Sequence, residues 1–253
     1  MKLRHQVALV TGGSGGLGSA IGKKLVAEGA RLCIHYHRSE AKARALAAEL
    51  SPVGSVLALQ ADLRQEAEVR ALIRDCVAHF GRLDILVNNA GWSRLVDAAD
   101  LEGLDEEVFE NTLKLKIHAP IYCVRAARPF LAASGRGSVV NITSVAGLAA
   151  KGSSLVYAAA NAALTNLTRS LALALAPEIR VNAVAPGFVE TGWIWPADGR
   201  ARERIARNNH IGRTVEPYEV ADLVYFLCAQ APGITGEEIV LDGGIGRLGV
   251  RRT

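Results

Sequence analysis

Short apolar runs alternate with longer amphipathic stretches along almost the whole chain, and this alternation restricts the fold more than any other feature. The apolar runs lie at 7–10, 31–36, 56–60, 83–87, 138–142, 179–184 and 238–241. Uniformly apolar runs of this length are typical of strands that are buried on both faces. The helical stretches lie at 17–28, 39–50, 66–80, 105–131 and 154–175. We therefore expect an α/β fold, a doubly wound parallel sheet of about seven strands with right-handed crossovers and helices on both faces.

No linker, repeat or low-complexity tract interrupts the 253 residues, which indicates a single domain from residue 1 to residue 253. The one long stretch without a clear period runs from about 186 to 212 and carries Trp193, Trp195 and Pro196. Loops of that length in compact domains usually have a function, often as a lid. We expect this segment to be a substrate loop.

The composition excludes several classes of protein. Half of the residues are hydrophobic, which excludes a disordered chain, and the net charge of +4 is too small to indicate a nucleic-acid partner. The basic stretch at 200–213 and the residues Arg247, Arg251 and Arg252 are expected to be solvated surface. The four cysteines are dispersed without the spacing of a zinc site or a disulfide framework, which is typical of a reducing compartment.

The N-terminus does not resemble a targeting segment. Its apolar run ends after about five residues, which is shorter than the core of a signal peptide. No stretch approaches the ~20 apolar residues that a membrane span requires. We therefore expect a cytoplasmic protein with no membrane partner.

A glycine-rich segment, TGGSGGLG at 11–18, lies between the first strand and the first helix. Glycines allow the backbone to approach a pyrophosphate closely, and the start of the helix offers free N–H groups with a positive dipole. The segment satisfies both GxGxxG and TGxxxGxG. Because it stands in the required strand–turn–helix context, it predicts a dinucleotide site.

The end of the second strand indicates which dinucleotide is bound. Proteins that bind NAD place a carboxylate about 20 residues past the glycines, where it binds the ribose 2′-hydroxyl. This chain has Tyr36, His37, Arg38 and Ser39 there and no acid. A guanidinium with a hydroxyl suits a 2′-phosphate, because arginine forms paired bonds with phosphate oxygens. We expect NADP(H) to be favoured over NAD(H).

Ordered motifs over essentially the whole chain resemble the short-chain dehydrogenase/reductase family. They are the TGxxxGxG segment, Asp62 near the adenine, NNAG at 88–91, Ser144 with Tyr157 at the family's usual spacing, PGxxxT at 186–191 and the closing ITGxxxxxDGG at 234–244. The resemblance implies a Rossmann-type fold, a nicotinamide cofactor and a homodimer or homotetramer.

The resemblance, together with the two sequence features above, yields a set of candidate cofactor-binding residues. They are Gly12, Ser14, Gly15, Gly16, Leu17, Gly18, Tyr36, His37, Arg38, Ser39, Asp62, Leu63, Asn89, Ala90, Gly91, Tyr157, Pro186, Gly187, Val189 and Thr191.

Two positions depart from the family pattern. The family's active site holds Asn, Ser, Tyr and Lys, with the Lys four residues after the Tyr. Here Asn161 stands at the Lys position, and Lys116 stands where the family's Asn belongs. The two residue types have exchanged places. The candidate catalytic residues are therefore Ser144, Tyr157, Lys116 and Asn161.

The chemistry of carbonyl reduction explains why these groups matter. A tyrosine transfers a proton near neutral pH only if its pKa falls from ~10, and a nearby ammonium favours the phenolate. The amide of Asn161 carries no charge, whereas Lys116 can supply an ammonium from the neighbouring helix. Three hypotheses stay open: a working exchanged set, an impaired NADPH-binding sensor or scaffold, and a reductase whose substrate supplies part of the acid–base chemistry.

The sequence does not identify the small-molecule substrate. Trp92 and Ser93 follow NNAG, and Trp193 and Trp195 lie on the expected substrate loop, which is compatible with an aromatic-lined pocket. The stretch HYHRS at 35–39 resembles the same segment in pteridine reductases, a branch of the family. Pterin reduction is therefore kept as a minor alternative.

Overall fold

The computed structural model describes residues 1–149, 151–192 and 199–249, with the backbone alone at 199–202. Seven parallel strands form one sheet in the order β3-β2-β1-β4-β5-β6-β7. The strands are β1 (Val7–Val10), β2 (Arg31–Tyr36), β3 (Val56–Gln60), β4 (Ile85–Asn88), β5 (Gly137–Ile142), β6 (Ile179–Pro186) and β7 (Glu238–Leu241). The expected doubly wound parallel sheet is confirmed.

Helices cover both faces of the sheet. They are α1 (Gly16–Ala27), α2 (Glu40–Leu50), α3 (Glu66–Phe80), α4 (Glu106–Leu113), α5 (Ala119–Ala133), α6 (Ala146–Ala149), α7 (Leu155–Leu175), α8 (Gly199–Asn208), α9 (Pro217–Ala229) and α10 (Ile245–Leu248). Successive strand residues point to opposite faces, so Ala8 and Val10 pack with α1, α2 and α9, while Val7 and Leu9 pack with α3, α5 and α7.

Several parts of the secondary structure differ from the sequence-based expectation, which lacked the short helices α6 and α10. The single helix predicted over 105–131 is interrupted by a π-helical turn, Lys114–His118, between α4 and α5. The segment at 186–212 is not irregular throughout, because it contains α8. Helix α9 was not predicted at all, although a capping box between Glu216 and Glu219 marks its start. Other boundaries agree to within about two residues, the usual uncertainty of helix and strand ends.

The order of the strands determines where a ligand can bind. Strand β1 lies between β2 and β4, so the chain connections on its two sides run in opposite directions and leave a crevice at the carboxyl ends of the strands.

Within the described residues, no helix combines the length and hydropathy needed to cross a membrane. The four cysteines are free and buried.

Candidate active site

A cavity of about 880 Å³ lies at the carboxyl ends of the strands. All of the residues predicted to bind the cofactor line it, as do Ser144, Tyr157 and Lys116. Asn161 does not line the cavity; it is completely buried behind Tyr157. The structure therefore brings the two ends of the predicted site, the glycine-rich loop and the Ser–Tyr pair, into one continuous space.

The glycine-rich loop is shaped for close contact with a ligand. Gly12 has φ +61°, a conformation that favours glycine. A Cβ on Gly16 would stand 2.8 Å from the Cβ of Thr191, so only glycine fits there. Helix α1 begins at Gly16 with no side-chain cap at Gly15, which leaves the first N–H groups of the helix available to an anion.

The segment after β4 forms hydrogen bonds with the start of the glycine-rich loop. The hydroxyl of Thr11 accepts hydrogen bonds from the backbone N–H groups of Asn89 (2.9 Å) and Ala90 (3.0 Å). The Asn89 side chain donates to the carbonyl oxygens of Thr11 (2.9 Å) and Gly12 (3.2 Å). Thr11 and Asn89 thus connect the two strands that flank the crevice.

Positive charge is concentrated at the far end of the cavity, beyond β2. Arg38 and Lys42 line the cavity, are exposed, and have no ion-pair partner in the described parts of the chain. The nearby carboxylate of Asp62 is already bound by Arg64 at 2.7 Å, which lowers the pKa of Asp62 to about 2. Two cations of the described residues therefore lie at this end of the cavity without an ion-pair partner, near an acid that is already paired.

Tyr157 lies in the first turn of α7. Ser154 begins this helix by accepting a hydrogen bond from the backbone N–H of Tyr157 at 3.1 Å. The phenol is largely buried, and burial raises the pKa of Tyr157 above its ordinary value. Hydrogen bonds with the side chains of Ser144 and Asn161 act in the opposite direction. Without an added positive charge, the phenol holds its proton.

Lys116 supplies a cation close to this phenol. Its ammonium Nζ lies 5.5 Å from the centre of the Tyr157 ring and donates to the carbonyl oxygen of Ile142 at 3.0 Å. The side chain is 3% exposed, and burial lowers the pKa of Lys116 to about 8. The π-helical turn carries Lys116, and such turns occur frequently at functional sites.

Asn161 lies one helical turn after Tyr157. Its side-chain N–H donates to the backbone carbonyl of Tyr157 at 2.8 Å, while its carbonyl oxygen Oδ1 has no hydrogen-bond partner within the described residues. Asn161 therefore forms hydrogen bonds with the backbone and the phenol of Tyr157, and it does not line the cavity.

Several cavity-lining residues were not predicted to belong to the site, among them His35, Lys42, Arg64 and Asn111. Arg64 joins two of the site's elements, because its guanidinium also donates to the Asn111 side chain at 2.8 Å. The cationic character of Lys42, four residues after Arg38, was the only available sequence signal among them.

The predicted aromatic lining is represented by Trp92, which borders the cavity. Trp193, Trp195 and Pro196 lie outside the described residues, as do Arg251 and Arg252. Ser93 is hydrogen-bonded to the Ser153 hydroxyl and is not among the residues that border the cavity. No group of three or more His, Cys, Asp or Glu side chains in the described part of the chain is arranged to hold a metal ion.

Comparison with known proteins matches residues 12–246 to the family model described as enoyl-(acyl carrier protein) reductase. A protein named as ketoacyl reductase 2 of the granaticin polyketide synthase from Streptomyces violaceoruber is 41% identical over 94% of this chain and 95% of its own length. The 3-oxoacyl-[acyl-carrier-protein] reductase FabG of Staphylococcus aureus is 33% identical over 94% and 97%.

Among solved structures, a short-chain dehydrogenase from Burkholderia cenocepacia J2315 in complex with NADP superposes with a TM-score of 0.89. It is 35% identical in sequence, and the match covers 96% of this chain and 98% of that chain.

Proposed function

Because the chain belongs to the short-chain dehydrogenase/reductase family, we propose that it is an NADP(H)-dependent oxidoreductase that interconverts a carbonyl and an alcohol on a small molecule. Two of the relatives named above carry the names of a ketoacyl reductase and a 3-oxoacyl-[acyl-carrier-protein] reductase. The observation that carries the proposal is the position of the buried Lys116 ammonium beside Tyr157, which provides the charge that the family's missing lysine would supply.

The residues of the cavity fit a bound NADP(H). The glycine-rich loop and the uncapped start of α1 suit the pyrophosphate, and Arg38, Ser39 and Lys42 suit a 2′-phosphate. The solved relative in complex with NADP supports the same choice of cofactor. When bound, NADPH supplies the hydride for reduction.

Arg38→Ala is expected to remove most of a preference for NADPH over NADH, with little change in NADH affinity. In the parent we expect NADPH to bind at least about tenfold more tightly, since charge-assisted bonds to a phosphate contribute about 1.5–3 kcal/mol. Titration of cofactor fluorescence measures both affinities. Arg44→Ala is the matched control, because Arg44 lies on α2, which begins two residues after Arg38, and is paired with Glu40. Equal affinities in the parent would contradict the proposal.

In the proposed mechanism, the hydroxyl groups of Ser144 and Tyr157 bind the substrate oxygen. As this oxygen gains negative charge during reduction, the Tyr157 phenol transfers its proton to it and becomes phenolate. The Lys116 ammonium stabilises the phenolate, and Asn161 holds the backbone of Tyr157 in place. Oxidation runs the same proton transfer in reverse, with the phenolate as the base.

Consumption of NADPH with reactive diketones, quinones and pterins tests the proposed activity. Turnover of any of these compounds supports a working enzyme, and turnover of pterins alone favours the pteridine reductase hypothesis. If NADPH binds and none of the compounds is reduced, the sensor or scaffold hypothesis replaces the proposed one.

We also propose that the protein is a cytoplasmic homodimer or homotetramer. Apolar side chains on two neighbouring helices support self-association: Phe109 on α4 and Leu173 on α7 are 44% and 85% exposed. Light scattering after gel filtration is expected to give a mass of two or four chains. A monomer at micromolar concentration would contradict this.

A further inference from the structure

The side chain of His35 is buried at the end of β2, directly beneath the glycine-rich loop, and the proposed mechanism does not use it. The side chain is 2% exposed. Its ring nitrogen Nδ1 lies 3.0 Å from the backbone nitrogen of Gly12, and Nε2 lies 3.0 Å from the carbonyl oxygen of Ala61. The ring therefore bridges the loops that follow β1 and β3.

The two contacts determine the tautomer of the ring. The backbone N–H of Gly12 can only donate, so Nδ1 must be the unprotonated acceptor. Nε2 then carries the hydrogen and donates it to Ala61. Burial lowers the pKa of His35 to about 4, and the smaller effects of His37 and Asp62 oppose each other. The imidazole is accordingly neutral at physiological pH.

The Gly12 peptide, which His35 contacts, lies at the turn of the glycine-rich loop. Gly12 has φ +61°, and its carbonyl oxygen accepts hydrogen bonds from the Asn89 side chain and from the N–H of Gly15. The N–H of Gly13 donates to the backbone carbonyl of His35 at 2.9 Å. Within the described residues, the acceptor for the Gly12 N–H is the His35 ring.

We propose that His35 is a positioning residue for cofactor binding, whose neutral Nδ1 holds the Gly12 peptide and so keeps the glycine-rich loop in its binding conformation. The inference rests on the proposed function, because it assigns the loop to the cofactor phosphates. Without an acceptor at this place, the partly buried Gly12 N–H loses its hydrogen-bond partner, and we expect the loop to shift so that this group can reach water. Cofactor affinity then falls, while the hydroxyls of Ser144 and Tyr157 are unaffected.

Two amide substitutions separate the role of the Nδ1 acceptor from that of the rest of the ring. His35→Asn places an amide oxygen near the position of Nδ1, so it can still accept from Gly12. His35→Gln reaches towards Ala61 with its amide nitrogen and leaves no acceptor near Gly12. Both replace the ring by a polar side chain of smaller volume, so each serves as the other's control for packing.

NADPH affinity, the unfolding midpoint and kcat at saturating NADPH are measured for the parent and both variants. We expect His35→Gln to raise the Kd for NADPH about tenfold, which corresponds to the loss of one hydrogen bond, with kcat within about twofold. His35→Asn is expected to retain the parent Kd within about twofold. Equal losses of affinity in both variants, or lower midpoints with unchanged Kd, would overturn the proposal.

A second measurement on the unaltered protein covers the case in which the variants do not fold. The ¹⁵N shifts of the His35 ring are expected to show hydrogen on Nε2 and none on Nδ1 from pH 6 to 8. Hydrogen on Nδ1 would overturn the proposal. Neither this readout nor the NADPH titration requires turnover. An inactive protein that binds NADPH would therefore contradict the proposed activity, and the two measurements would still test the role of His35.

Discussion

Replacing Tyr157 by phenylalanine is expected to abolish detectable turnover and to leave the affinity for NADPH nearly unchanged. The substitution removes one oxygen atom, and that oxygen is the proposed proton donor to the substrate. General acid–base assistance contributes typically about 10²–10⁴-fold to a rate, and the same hydroxyl also binds the substrate oxygen, so we expect a loss at or above the upper limit. Initial rates of NADPH oxidation with any substrate from the proposed screen measure it.

The aromatic ring of the variant keeps the packing of Tyr157, so folding should be preserved. An unchanged circular dichroism spectrum and an unchanged NADPH titration establish this. Tyr218→Phe is the matched control, because Tyr218 is 60% exposed on α9 and lies away from the cavity. Near-parent turnover by the Tyr157 variant would show that the proton comes from another group.

The fold was predictable from the sequence because its strands are short, apolar and regularly spaced. The five inner strands of the sheet are buried almost throughout, so their hydrophobic signal is continuous, whereas the edge strands β3 and β7 are half-buried. Helix α8 gave no such signal, since half of its residues GRARERIARN are charged and its apolar positions are few. Helix α9 carries an apolar face and a capping box, and its period was simply not identified in the sequence analysis.

The site was predictable where its residues lie within local motifs. The loop at 11–18 and the pair Ser144 and Tyr157 are recognisable from short segments. Arg64, Asn111 and His35 were not, because each reaches the cavity through contacts between distant parts of the chain. The contact between His35 and Gly12 spans 23 positions, and no local pattern encodes it.

The position of Lys116 depends on a feature that helical periodicity does not reveal. A regular α-helix over 105–131 was predicted, whereas the π-helical turn adds one residue to the turn at 114–118 and changes which side chains face inward. Lys116 is buried in this turn, while Lys114, two residues earlier, is paired with the exposed Glu110. The contrast between the two lysines supports a specific role for Lys116.

Lys116→Ala is expected to lower turnover about 10²–10⁴-fold, the range typical of lost acid–base assistance. The pH profile supplies a more specific readout. Below the Lys116 pKa of about 8 the ammonium is charged and favours the Tyr157 phenolate. Removing that charge raises the pKa of the phenol, so the rise of the oxidation rate with pH should move to higher pH. Lys114→Ala is the matched control and is expected to leave both the rate and the profile unchanged.

The exchanged pair can be tested by restoring the arrangement usual in the family. Lys116→Asn alone should lose activity as Lys116→Ala does, whereas Lys116→Asn combined with Asn161→Lys returns an ammonium to the helix that carries Tyr157. Because Asn161 already contacts the backbone of Tyr157, a lysine there starts one helical turn from the phenol. We expect the double variant to be more active than Lys116→Asn, and such non-additivity is typical of two residues that share a function. If Lys116→Ala retains parent turnover and the double variant behaves as the sum of its parts, Lys116 has no role in the proton transfer.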